Sequence, residues 1–344
     1  MDGVGRGVRA RIPDNPPPPR PRRVAKGRAA WDDAAKFVTQ LCRNRPMPRA
    51  PSTQGVEIEY QTYGPDDGPP LLLVGGLGVQ IPSWSEKLIQ ELAGRGFRVI
   101  AYDNRDCGLS TSFDDCGPAD IGKAFKQARA GEPVSAPYKL EDMADDGAAV
   151  LDHLGIDKAH IVGSSNGGAI AQIFGYRHAA RTETMVYIMA TSGRRGLPRP
   201  SEKANEWLGK PKNPKGTREG AMEDALIGAG VLGSPGFPRS EEAVRQKAAM
   251  LYDRAFNPAG ASRHLLASIA SGDGRVQHLA SITAPTLVIH GKEDPLVPVG
   301  AGQDVADTIP NTDMLVIAGM AHDYPDAACG RIASAIAANA ARVG

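Results

Sequence analysis

The stretch Ala159-His160-Ile161-Val162-Gly163-Ser164-Ser165-Asn166-Gly167-Gly168 joins two kinds of pattern. A β-branched apolar run enters it. Small residues make a turn, and apolar residues at helical spacing leave it through Ala169, Ile170, Ile173 and Phe174. The reading is strand, sharp turn, helix, with Ser165 at the apex of a Gly-x-Ser-x-Gly pattern. Such a turn holds its serine in strained backbone geometry, so the hydroxyl projects above the end of a sheet. Gly163 and Gly167 suit a turn where a Cβ would collide with neighbouring backbone. Taken alone, five residues also fit an ordinary strand-to-helix turn, and the weight comes from the residues downstream.

A serine hydroxyl is a poor nucleophile near neutral pH. It needs a base within hydrogen-bond reach and a third group to orient that base. Two later positions offer these groups just beyond apolar strand patterns. Asp294 lies in His290-Gly291-Lys292-Glu293-Asp294-Pro295, and His322 lies in Gly319-Met320-Ala321-His322-Asp323. Ligand sites of open α/β sheets gather at such strand ends. The chain order Ser165, Asp294, His322 belongs to one of the unrelated scaffolds that carry this chemistry. Ser164 and Glu293 are the runners-up for nucleophile and acid. Ser164 sits one step off the apex and should point into the sheet, and Glu293 should orient differently from Asp294. His290, at a strand end, reads as structural.

Attack by serine creates an oxyanion, which needs fixed N–H donors. The N–H of Asn166, directly after the nucleophile, is one candidate. The other is expected from the loop Gly75-Gly76-Leu77-Gly78, at Leu77. A phosphate-loop reading of that loop fails because no Gly-Lys-Ser/Thr follows. A dinucleotide reading fails because Ile81 stands where the third glycine would fall.

The rest of the chain supports a sheet with helices on both faces. Val56 to Tyr63 alternates as a half-exposed strand does. Leu71 to Val74 and Arg98 to Tyr102 read as buried strands, and Met185 to Met189, Pro285 to His290 and Met314 to Ile317 follow. Helical patterns run over Trp84 to Ala93, Ile121 to Ala130, Leu140 to Leu154, Gly300 to Ile309 and Ala327 to Arg342. Strands alternating with helices imply a parallel sheet. From Arg194 to about Leu279 strand signals vanish. Helical stretches appear near Glu202 to Leu208, Arg218 to Gly228, Glu241 to Phe256 and Ala261 to Ser271. Asp103-Asn104-Arg105-Asp106-Cys107-Gly108-Leu109-Ser110 is a structured turn that Asp103 and Arg105 should brace. Pro46 to Gln54 reads as a linker, and Trp31 to Cys42 as a short helix. Residues 1–28, rich in Arg, Pro and Gly, have no apolar signal-peptide core and read as a disordered tail.

The chain has 344 residues, with 40 Lys and Arg against 39 Asp and Glu, a net charge of +1. That balance gives no general electrostatic reason to bind nucleic acid or an anionic membrane. No apolar run approaches the length of a membrane span. Cys42, Cys107, Cys116 and Cys329 form no CxxC pair or zinc spacing. A bridge between Cys107 and Cys116 is geometrically open. Free thiols in a cytoplasmic protein are expected instead.

The segments VGGLG, DNRDCGLS, VGSSNGG, LVIHGKEDPLVP and AGMAHD together resemble the α/β-hydrolase superfamily over roughly Gly55 to Val343. The DNRDCGLS turn is similar to that of a subgroup containing aclacinomycin methylesterase-like serine hydrolases. Two departures stand out: Gly75-Gly76 replaces the usual His-Gly, and Asn166 replaces the common methionine. The resemblance implies an α/β-hydrolase fold with a mostly parallel eight-stranded sheet. It divides the chain into a tail (1–28), a core (29–193 and 280–344) and a helical cap (194–279) lying over Ser165. It implies hydrolysis of a carboxylic ester, such as a methyl ester or lactone of an apolar small molecule, through an acyl-enzyme on Ser165. Asp294, His322 and the Leu77 and Asn166 N–H groups would assist. No metal or organic cofactor is expected, and no nucleic-acid or membrane partner. Carbon–carbon, amide and perhydrolytic chemistry use the same residues, and a ligand-binding protein that keeps the fold is the alternative from another class. A carboxylate-nucleophile enzyme is disfavoured by the serine.

Overall fold

Leu71-Leu72-Leu73-Val74 is apolar at every position because both faces of its strand are covered. In the computed structural model, which describes residues 48–210, 212–213 and 216–343, this run forms β3 (Pro70–Val74). It lies parallel to β4 (Arg98–Tyr102) on one side and to β5 (Ala159–Ser164) on the other. Side chains alternate across a strand. Leu72 and Val74 therefore join the core on one face, and Leu71 and Leu73 join the core on the other. The remaining strands are β1 (Arg49–Pro51), β2 (Glu57–Tyr63), β6 (Thr182–Ile188), β7 (Thr286–Gly291) and β8 (Thr312–Ile317). They complete one eight-stranded sheet in the order β1-β2-β4-β3-β5-β6-β7-β8. Only the β1–β2 and β2–β4 pairs are antiparallel.

Two of the helices flanking the sheet start at a side-chain cap. Ser85 caps α1 (Glu86–Ala93), and Asp120 caps α2 (Ile121–Ala130). The others outside the β6–β7 connection are α3 (Leu140–His153), α4 (Asn166–Arg177), α9 (Val299–Thr308) and α10 (Asp326–Ala340). The Leu72 face of the sheet is covered by α3, α4 and α9, and the Leu71 face by α1 and α10. Between β6 and β7 the chain leaves the sheet for α5 (Glu202–Gly209), α6 (Arg218–Leu232), α7 (Glu241–Arg254) and α8 (Pro258–Ser271). Their N-caps are Ser201, Thr217, Ser240 and Asn257, each accepting a backbone N–H of the first turn.

The stretch Pro46 to Gln54, expected to be a linker, contains β1. Ala50 is buried opposite Ile58, while Arg49 and Pro51 are exposed. A three-residue edge strand ending in proline shows too little alternation to be seen in sequence, and proline is tolerated there because an edge strand has N–H positions facing away from the sheet. Helix α1 begins at Glu86 rather than Trp84, because Ile81–Ser83 forms a 3-10 turn first. Helix α6 continues past Gly228 to Leu232. The expected tail at 1–28, the helix at 31–42 and Cys42 lie outside the described residues. Cys107, Cys116 and Cys329 are free thiols.

Candidate active site

Ser165 sits between β5 and α4 with φ 52° and ψ −122°, a backbone conformation that L-residues rarely adopt. Its N–H donates to the Ile188 carbonyl at 2.9 Å, and its own carbonyl accepts from Gly168 N–H at 2.9 Å. The turn closes this tightly because Gly167 has no side chain. A Cβ there would run into the carbonyl oxygen of Val74 at the end of β3. The strain is thus held by the strand ends on either side of β5.

Three residues far apart in sequence meet at this end of the sheet. His322 Nε2 lies 3.0 Å from Ser165 Oγ, and His322 Nδ1 lies 2.7 Å from Asp294 Oδ2. Asp294 follows β7 and His322 follows β8, so each descends from a parallel strand end. The second oxygen of Asp294 accepts the N–H groups of Leu296 and Val297 at 2.9 and 2.8 Å. These donors fix the carboxylate plane. An ionised Asp294 can only accept, which assigns the proton of a neutral His322 to Nδ1 and leaves Nε2 free to accept from serine.

The runners-up are elsewhere. Ser164 is buried in β5. Glu293 accepts the Gly319 N–H at 2.7 Å and bridges two loops. His290 is fully buried under the acid loop, with Nε2 bonded to the Val297 carbonyl at 2.7 Å and 3.6 Å from Asp294 Oδ2. Burial pushes its pKa below the usual value, so the ring is neutral and supports the loop backbone.

The loop Gly75–Gly78 passes beside the serine. A Cβ on Gly76 would lie 3.3 Å from Ser165 Cβ. Val79 N–H donates to Gly76 O at 3.3 Å, closing a turn with Leu77 and Gly78 at its corners. Gly78 has φ +61°, as position three of a type II turn requires. Asn166 opens α4, where the first N–H groups have no intrahelical acceptor.

Sequence reasoning missed what holds these loops. Asp103 and Arg105 do brace their turn, but most partners of that turn come from other elements. Asp103 accepts the Ile81 and Leu109 N–H groups at 2.6 and 2.9 Å and pairs with Arg254 of α7 at 2.7 Å. Arg105 pairs with Asp146 of α3 through two bonds of 2.7 and 2.9 Å. Asp106 takes two bonds from Arg263 of α8, at 2.5 and 2.6 Å. The insertion also reaches the His322 loop. His322 N–H donates to Leu232 O at 3.0 Å, Ala321 N–H donates to Ser234 Oγ at 2.8 Å, and the Ser234 hydroxyl donates to Asp323. The available signal was Arg263-His264, two bulky polar residues in an α8 that is otherwise almost entirely small or apolar. A groove of about 650 Å³ between α6 and α7 includes Met222 and Met250, but none of Ser165, Asp294 or His322.

A family model described as alpha/beta hydrolase fold matches residues 69–324. The chain belongs to that family. Relatives include rhodomycin D methylesterase DauP of a Streptomyces species, 28% identical over 288 residues, covering 78% of this chain and 90% of that protein. They also include 3-oxoadipate enol-lactonase 2 of Acinetobacter baylyi, 27% identical over 266 residues, covering 77% of this chain and 86% of that one. A second rhodomycin D methylesterase, from Streptomyces peucetius, is 26% identical. The methylesterase-like subgroup expected from the DNRDCGLS turn is therefore the one found. Among solved structures, esterase RhEst1 from a Rhodococcus species superposes with a TM-score of 0.67 at 22% identity, covering 87% of this chain and all of that one, which shows the shared fold. No helix of the described residues is long and apolar enough to cross a membrane.

Proposed function

We propose that the protein is a serine hydrolase that cleaves a carboxylic ester through an acyl-enzyme on Ser165. The single observation that carries the reading is the relay of 2.7 and 3.0 Å from Asp294 through His322 to Ser165 Oγ. In the first half-reaction Ser165 Oγ attacks the ester carbonyl while His322 Nε2 takes its proton. Asp294 orients the imidazole and stabilises its cation. The Leu77 and Asn166 N–H groups receive the oxyanion. Collapse breaks the carbon–oxygen bond, and His322 returns the proton to the departing alcohol. Water then enters, gives a proton to His322 and attacks the acyl carbon. Ser165 leaves with the proton, and the carboxylic acid departs.

Residues 194–279 act as a helical cap in this reading, with the described core segments at 48–193 and 280–343. The substrate class is a methyl ester or lactone of an apolar small molecule, in keeping with relatives named as a methylesterase and an enol-lactonase. Those relatives are enzymes, which disfavours a ligand-binding protein. Intact-mass spectrometry after a fluorophosphonate probe, beside turnover of a panel of methyl esters, longer acyl esters and lactones, tests the reading with Ser165→Ala as control. A single adduct on the wild type, none on the variant, and turnover of panel members are expected. No adduct on a folded wild type overturns it.

A further inference from the structure

The loop Gly75-Gly76-Leu77-Gly78 has three glycines in four residues, so its own side chains give it little to hold by. Two side chains from elsewhere grip its ends. Asn104 Nδ2 donates to Gly75 O at 3.0 Å, and Gly78 N–H donates to His264 Nδ1 at 3.2 Å. Leu77 lies between these grips. His264 is fully buried on α8, and a Cβ on Gly78 would sit 2.9 Å from Ala261 Cβ, one turn earlier on the same helix. The other ring nitrogen, Nε2, lies 2.7 Å from the Arg105 carbonyl oxygen. Asn104 and Arg105 are adjacent in the turn after β4. Loop, turn and helix thus close into a small ring, with His264 as the member that joins all three.

The partners settle the tautomer. A carbonyl oxygen only accepts, so Nε2 carries the proton. A backbone N–H only donates, so Nδ1 offers its lone pair. Only the neutral ring with this tautomer satisfies both bonds. Burial keeps the ring neutral by pushing its pKa down. The nearby Arg263 and Arg105 guanidiniums act in the same sense, against Asp106 and the Arg105 carbonyl. Tyr138 faces the ring edge-on, with ring centroids 6.2 Å apart.

We propose that His264 is a positioning residue of the oxyanion loop: by fixing the Gly78 amide it sets the preceding peptide, and so the Leu77 N–H, toward the tetrahedral centre on Ser165. The inference rests on the hydrolase reading above. It assigns a residue of the helical insertion to transition-state stabilisation, although it touches neither substrate nor Ser165. The expected signature is a fall in kcat with little change in KM, since the ground-state carbonyl needs the donor less than the oxyanion does.

The test uses three variants of the full chain. His264→Leu removes both bonds. His264→Asn retains an acceptor at the Nδ1 position, and His264→Gln retains a donor near the Nε2 position. Measured are kcat and KM on the best panel ester, the rate constant of fluorophosphonate labelling, and the melting temperature. Losing an oxyanion donor costs on the order of 10²–10³ in rate, so His264→Leu is expected to lose at least about tenfold in kcat and labelling rate, with KM within about threefold. His264→Asn is expected to recover most of that loss, and His264→Gln to stay near the leucine variant. A purely structural role predicts instead that Asn and Gln behave alike and follow the melting temperature, and that result overturns the proposal. So does unchanged kcat in a folded His264→Leu. If leucine prevents folding, the Asn–Gln comparison alone decides. A wild type that neither labels nor turns over removes the hydrolase reading and this inference together. An active wild type matched by His264→Gln removes this inference alone.

Discussion

Replacing Arg263 with methionine keeps most of the unbranched stem of the side chain and removes its charge from a buried site. Asp106 is fully buried and sits at φ +67°, so it cannot easily swing away. It would keep the Phe113 N–H at 3.1 Å, the Tyr138 hydroxyl at 2.9 Å and the Asn257 amide at 3.3 Å, but would face them as an unpaired carboxylate. Breaking a buried pair from one side costs about 3–5 kcal/mol. The three remaining donors place this case near the lower end, and the added contact of Arg263 with the exposed Asp114 contributes little. A loss of about 3 kcal/mol is a large share of a folding stability of roughly 5–15 kcal/mol. The pH dependence carries the sharper test. In the wild type burial alone would raise the Asp106 pKa, but Arg263, the Phe113 amide and Tyr138 outweigh it and hold it below the usual value. A depressed pKa contributes stability above the unfolded pKa, near 3.9, and that contribution is lost as pH falls through the folded pKa. Without Arg263 burial wins, the folded pKa rises above the unfolded one, and the sign reverses. The variant should be weakest near neutral pH, and its deficit should shrink as pH falls toward about 4. Urea denaturation followed by circular dichroism at several pH values measures this, and adding Asp106→Asn should restore most of the loss at pH 7. A deficit under about 1 kcal/mol, or one that does not change with pH, refutes the reasoning.

Other changes report on the site itself. Asp294→Asn keeps the acceptor for the Leu296 and Val297 amides but presents N–H to His322 Nδ1, which moves the ring proton to the Nε2 side facing Ser165. A loss of about 10⁴ in kcat is expected, and a loss under tenfold counts against the assigned tautomer. Ser165→Gly and Ser165→Ala should both abolish turnover, yet the glycine variant should be more stable by about 1 kcal/mol in chemical denaturation. Glycine relieves the strain at φ 52°, less its own entropy cost. Gly167→Ala should lower soluble, folded yield sharply, because its methyl meets the Val74 carbonyl, and normal expression with a wild-type melt would contradict the close approach.

The fold was legible where periodicity was strong. Leu71–Val74, the elbow at Ser165 and the strands before Asp294 and His322 each announce themselves within a few residues, because buried strands are apolar and sharp turns need small residues. Strand β1 was hidden because three residues with arginine and proline at the ends carry no readable period. The site was legible as far as residue types and chain order go. Its supports were not. His264, Arg254 and Arg263 lie on helices with weak amphipathic patterns, and their partners Gly78, Asp103 and Asp106 lie more than 150 residues earlier in the chain. Which way a polar residue on a helix points is decided by long-range packing, and no local spacing encodes it.

Those hidden supports change how the helical insertion should be understood. It meets the site at three separate places. Leu232 and Ser234 hold the backbone of the His322 loop, His264 holds Gly78, and the Ser268 hydroxyl donates to the Asn166 side chain. Two ion pairs, the partly buried Arg254–Asp103 and the fully buried Arg263–Asp106, pin α7 and α8 to the turn after β4. Swinging these helices away as a body would strip partners from buried charges, a cost of several kcal/mol per pair. Opening for substrate is therefore easier through side chains and loop ends than through displacement of α7 and α8. The same bonds mean that the sheet supplies Ser165, Asp294 and His322 while the insertion sets two of the loops around them. An insertion exchanged to alter specificity must carry residues equivalent to Leu232, Ser234, Arg254, Arg263 and His264, or the sheet will present the right side chains in loops no longer held to the right geometry.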